Sequence, residues 1–158
     1  MNTVSLDAAD QLTARVIASM RSGLNRVNGT PDAKKCGKDG YEVDLEGVAG
    51  EMAFAKLKNL CPDLGALPRS GGHDFLTQEG KTLDVKTTSL DEGNLLVSES
   101  KAAAPSDFYV LMTGQFPHYR YAGWASSKKV FREENLVDLG HGPCYRVMRE
   151  DLVTEGEK

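Results

Sequence analysis

Apolar positions repeat with a helical period near the start of the chain. Over residues 6–27, Ala9, Leu12, Val16, Ile17, Met20 and Leu24 form a stripe with a period of about 3.6 residues, which predicts an amphipathic helix. Ser5 can cap its start, and Asn28-Gly29 tolerates the left-handed backbone that ends helices. A second helix is predicted over about 45–60, with Asp44 as N-cap and Cys61-Pro62 as the stop. Leu45, Val48, Ala49, Met52, Ala53 and Leu60 make its apolar face, and Glu51 stands at the border of that face. Gly47 and Gly50 lie within one turn of Glu51. A glycine inside a helix costs about 1 kcal/mol relative to alanine, so the pair predicts close approach of another backbone or a ligand. Between the helices, residues 29–41 read as a loop carrying Lys34, Lys35 and Lys38.

Beyond the Pro68 to Gly72 loop the pattern changes to alternation. Residues 73–77 and 81–89 read as strands joined through Gln78-Glu79-Gly80, a three-residue hairpin loop with glycine in its last position. Further strands are predicted over 95–99, 108–113, 119–124 and 143–148, with a helical turn in 100–106 and a short helix over 126–132. Two helices followed by a run of strands argue for one α/β (α+β) domain, residues 1–158, built on a mixed β-sheet flanked by helices. The pattern contains no repeat and no linker.

Composition adds boundaries. The chain has 158 residues, 40% of them hydrophobic, with 19 Lys+Arg against 23 Asp+Glu and a net charge of −4. That length supports a single well-buried core. No apolar run reaches the ~20 residues of a membrane span, and the first residues lack the pattern of a signal peptide. Cys36, Cys61 and Cys144 form neither a disulfide framework nor zinc spacing. A cytoplasmic protein with no membrane partner is expected. Mild acidity argues against coating nucleic acid by bulk charge. However, residues 150–158, read as a frayed acidic tail, carry −3 of the −4.

The chemistry concentrates in Leu83-Asp84-Val85-Lys86-Thr87. Alternation along a strand projects Asp84 and Lys86 to one side. Folding the hairpin about Glu79 sets Asp74 opposite Asp84. Facing carboxylates repel, and a divalent cation resolves the repulsion. All-oxygen ligation favours Mg²⁺ or Mn²⁺. Asp74 and Asp84 would hold the metal, with Glu51 as a third carboxylate if its helix packs on the sheet. Lys86 would assist the attacking water or the charge developing on a phosphoryl group. The alternative is a solvent-facing charge pair on an amphipathic hairpin.

Glu51 within Gly47-Val48-Ala49-Gly50-Glu51, then Asp74, then Asp84-Val85-Lys86, resembles the PD-(D/E)xK nuclease superfamily. The stretch Tyr121-Ala122-Gly123-Trp124-Ala125-Ser126 is similar to a segment of its small phage and bacterial members. His73 stands where many members have proline. The resemblance implies a restriction-endonuclease-like αβββαβ core and metal-dependent cleavage of DNA, with Glu51, Asp74, Asp84 and Lys86 catalytic. It also suggests action on branched DNA or DNA ends during phage replication or recombination. Lys34, Lys35, His73, Thr88, Lys101, Lys128, Lys129 and Arg132 are candidates for contact with DNA, and the first helix for a homodimer interface. Two rival readings stay open: a non-catalytic nucleic-acid-binding accessory protein of the same fold, and an unrelated α+β protein-interaction domain.

Overall fold

A computed structural model describes residues 2–29, 39–65 and 72–154. Both long helices begin at an aspartate that closes a capping box. Helix α1 (Ala8–Val27) starts at Asp7, whose carboxylate accepts from the Ala9 and Asp10 amides while Asp10 reaches back to the Asp7 amide. Helix α2 (Gly40–Lys58) starts at Asp39, reciprocally bonded with Glu42. These caps displace the expected Ser5 and Asp44, because only Asp7 and Asp39 have an acid three residues on that completes the box. The second helix therefore begins five residues before its expected start, in the stretch read as loop.

The main sheet has five strands: β1 (Thr3–Ser5), β2 (Phe75–Leu76), β3 (Thr82–Thr88), β5 (Phe108–Gln115) and β6 (His118–Ser126). Their order is β1-β6-β5-β3-β2, with β3 and β5 parallel and every other pair antiparallel. The sheet is mixed, and the chain is an α+β protein. The β2–β3 hairpin closes as expected: the Thr77 amide donates to Lys81 O at 2.8 Å, and Gly80 takes the left-handed φ of +77°. Parallel strands need a crossover. Here it is built from β4 (Leu95–Ser98) and a 3₁₀ turn (Glu99–Ala103), where an αβββαβ core has a helix.

Strand β4 belongs to a second sheet, of order β4-β8-β7, with β7 (Leu136–Asp138) and β8 (Pro143–Val147). Alternation along β5 divides the core between the two layers. Val110 and Met112 pack with Val85, Tyr119, Tyr121, the apolar face of α2 and Ala14, Ile17 and Ala18 of α1, whereas Leu12, Val16 and Met20 of the expected α1 stripe lie exposed. Tyr109 and Leu111 pack on the other side with Leu95, Val97, Val130, Val147 and Leu152. Val130 comes from the short helix α3 (Ser127–Val130), capped by Ser126.

The acidic tail departs from expectation in its first residues. Leu152 is buried in the second cluster, and Val153 exchanges hydrogen bonds of 2.9 and 3.0 Å with Trp124. Gly123, at φ +141°, makes room for this: a Cβ there would stand 2.8 Å from Leu152 Cβ. Residues 150–154 are thus docked on the edge of β6; residues 155–158 lie outside the described residues. Among the described residues no helix is long and apolar enough to cross a membrane.

Candidate active site

Strand β3 pairs with β5 from Leu83 to Thr88, and with β2 only at Thr82 and Leu83. Asp84 lies beside Tyr109 of β5 in register, and its side chain is only 2% exposed. A charged carboxylate buried that far requires countercharge, and it has two. Lys86 Nζ donates to Asp84 Oδ1, from the same strand face two residues on. Lys101 Nζ, from the 3₁₀ turn of the crossover, lies 3.0 Å from Asp84 Oδ2 and also donates to Gly72 O at 2.7 Å. The lysine side chains are 29% and 32% exposed, so their stems run from the buried acid toward water.

Asp74 comes alongside through the hairpin. Phe75 pairs with Leu83, and the Asp74 amide donates to Leu83 O at 2.8 Å. The pairing of β2 stops at Phe75, and the Asp74 carboxylate takes the next free donor of β3: Oδ2 accepts from the Val85 amide at 2.7 Å. Asp74 is therefore bonded to the residues on both sides of Asp84. The register inferred from the hairpin holds, and the two acids share one stretch of β3.

Glu51 is positioned differently. Its neighbour Gly50 brings α2 against β3, where a Cβ would fall 1.9 Å from Thr87 Oγ1. What approaches Gly50 is the Thr87 side chain rather than the backbone or ligand expected, and at Gly47 a Cβ would meet nothing within 4 Å. Thr87 alternates with Lys86, so α2 covers the face opposite to the one that carries Asp84 and Lys86. Glu51 itself pairs with Arg21 of α1 at 3.4 Å, and the same guanidinium donates to Gly65 O. Among the described residues no group of three or more His, Cys, Asp or Glu could hold a metal ion. Glu51, Asp74 and Asp84 are thus not gathered into one such group.

Tyr109 was not singled out by sequence. Burial pushes its hydroxyl above the ordinary tyrosine value; the negative charge of Asp84 adds to the rise, and hydrogen bonding to Ser106 opposes it. The phenol remains a neutral wall of the site, accepting from the Ser106 amide at 3.2 Å.

The candidate DNA contacts separate into groups. Lys34 and Lys35 lie outside the described residues. His73 is half-buried next to Asp74. Thr88 ends β3 on the face of Asp84 and Lys86, and its hydroxyl accepts from the Leu90 amide at 3.3 Å. Lys101 is drawn into the site. Lys128 is exposed on α3, Lys129 donates to Asp151 O, and Arg132 pairs with Glu134 at 3.6 Å. A shallow hollow of about 590 Å³, lined by Arg120, Arg149, Glu92 and Glu150 among others, contains none of these residues. Its charges are mixed in sign, and Arg149 pairs there with Glu92 at 3.6 Å.

The chain belongs to a family described as a family of unknown function (DUF5843), whose model matches residues 4–155. No curated protein and no solved structure matches it.

Proposed function

We propose that the chain is a metal-dependent nuclease that hydrolyses DNA phosphodiester bonds. The observation that carries this reading is the buried Asp84 with Lys86 beside it on one strand and Asp74 bonded to the backbone on either side. The donor chemistry fits a hard divalent cation. Mg²⁺ is commonly held by one or two carboxylates, with water and substrate phosphate completing its shell, so Asp74 and Asp84 suffice without a third acid. Both are hard oxygen donors, and the countercharges now on Asp84 sit on flexible stems that can yield.

When bound, Mg²⁺ or Mn²⁺ polarises the phosphate and acidifies a coordinated water. The chain's own groups do the rest. Asp74 stays oriented because the Val85 amide fixes one of its oxygens. Lys86, held at Asp84 and partly exposed, can position the attacking water or balance charge on a phosphoryl oxygen. Glu51, on the helix that covers the opposite sheet face and paired with Arg21, is left out of the proposed catalytic group. Lys34, Lys35, His73, Thr88, Lys128, Lys129 and Arg132 are proposed to contact DNA phosphates, which position a duplex without reading its sequence. The proposal extends to a cytoplasmic setting and to a homodimer through α1, where Leu12, Val16 and Met20 lie exposed in one row.

The test is incubation of the protein with supercoiled, linear, single-stranded and branched DNA in Mg²⁺, Mn²⁺ or EDTA. Cleavage of at least one substrate, abolished by EDTA, is expected. A second reading rests on the pairing of both Asp84 oxygens with lysines: a non-catalytic nucleic-acid-binding protein of the same fold. It requires DNA binding without cleavage in either cation, and binding unchanged by Lys86→Ala.

A further inference from the structure

Lys101 does two things at once. It neutralises one oxygen of a buried carboxylate, and it ties the 3₁₀ turn after β4 to the backbone at Gly72, two residues before Asp74. Lys86 already supplies one positive charge to Asp84 from the same strand. With Asp74 alongside, two carboxylates and two ammonium groups balance, so an incoming dication would have to displace one of the ammonium groups. The second ammonium arrives from a different element, through a side chain that is 32% exposed. A partly exposed lysine that reaches a buried acid from a separate element can withdraw its head to water without moving β3, and so can be exchanged for another cation.

Resting on the metal-dependent reading above, we propose that Lys101 is a displaceable counter-ion. It occupies Asp84 and the Gly72 carbonyl in the metal-free protein, and a divalent cation competes with it for the carboxylate. Lys101 is in this view a positioning residue. It keeps Asp84 paired and the segment leading to Asp74 in place, and it weakens cation binding by as much as its own contact is worth. A role limited to tying the Gly72 backbone predicts the opposite sign, because loosening the segment before Asp74 would weaken the cation site.

The experiment is calorimetric titration of Mn²⁺ alone into the wild type, Lys101→Met, Lys101→Gln, Lys101→Arg and Asp84→Asn. Lys101→Met and Lys101→Gln are expected to bind Mn²⁺ about tenfold more tightly, since one nearby positive charge is gone. Lys101→Gln retains a donor for Gly72 O and serves where Lys101→Met does not fold. Lys101→Arg, which keeps the charge, should bind like the wild type, and Asp84→Asn should not bind. Unchanged or weaker binding in both neutral variants, with binding still lost in Asp84→Asn, overturns the counter-ion role and leaves the metal reading standing. Mn²⁺ binding that survives in Asp84→Asn, or is absent from the wild type, overturns the metal reading and this inference with it.

Discussion

Asp84 and Asp107 serve the same two strands and are held in opposite ways. Asp107, just ahead of β5, accepts from the Thr82 amide at 2.9 Å and from Thr82 Oγ1 at 3.1 Å, while its own amide donates to that hydroxyl at 2.8 Å. Those bonds hold its carboxyl below the usual aspartate value, with a smaller contribution from Lys81. Asp84 is far more buried, yet its named partners are lysine side chains. Backbone donors cannot leave without unpicking a strand, whereas an ammonium on a four-carbon stem can swing away. Asp107 pins the parallel pairing of β3 with β5. Asp84 is a buried charge held by side chains alone among its named partners, which is what the proposed cation exchange draws on.

Asp74 is held by a backbone amide, like Asp107, and is proposed to bind metal, like Asp84, so its variants separate the two roles most sharply. Asp74→Asn keeps an oxygen for the Val85 amide but removes the charge; cleavage should fall by about 10³-fold, with little change in melting temperature. Asp74→Ala should lose cleavage and also melt lower. If Asp74→Asn cleaves normally, Asp74 is purely architectural. Lys86→Ala comes next, with a fall of about 10²–10³-fold in cleavage rate, measured on whichever DNA the wild type cuts. Retention of full activity would remove Lys86 from the chemistry.

Smaller effects fall on the scaffold. Gly50→Ala should destabilise by about 1–2 kcal/mol in chemical denaturation, overpacking against Thr87 outweighing the gain in helix propensity. Thr87→Ala in the same chain should recover part of the loss; no recovery would mean that α2 and β3 do not meet there. The smallest effect is on acid stability. Asp107 is depressed below its ordinary 3.8, and Asp7 is lowered to about 2, chiefly by its hydrogen bond to Lys56. Groups depressed on folding contribute stability above their unfolded values and lose it as pH falls through the folded ones. Stability should therefore decline from about pH 4 toward pH 2, and Asp7→Asn or Asp107→Asn should flatten that decline in melts taken across the range. An unchanged slope in both variants would assign the acid sensitivity to other groups.

Much of the fold was legible because its signals are local. Helical periodicity located α1, alternation located β3, β5, β6 and β8, and Gln78-Glu79-Gly80 fixed the hairpin whose register brings Asp74 beside Asp84. What escaped depends on distant partners. Strand β1 has three residues and exists because Thr3, Val4 and Ser5 pair with Arg120, Tyr119 and His118 of β6. Strand β7 is equally short and is defined by β8. The docking of Val153 on Trp124 cannot be read from an acidic composition. In the site, the pairing of Asp84 with Lys86 follows from spacing within one strand, and Asp74 follows from a turn. Lys101 is brought in by a crossover whose path no local pattern encodes, and the separation of Glu51 follows from which sheet face α2 covers.

The most direct measurement is a cleavage time course in Mn²⁺ for the wild type and Asp84→Asn, purified side by side and matched for folded content. The account predicts cleavage by the wild type and a loss of at least about 10³-fold in Asp84→Asn, with melting temperatures close together because Lys86 and Lys101 can both turn to water. Equal cleavage by the two proteins, or none by the wild type on any DNA, would contradict it.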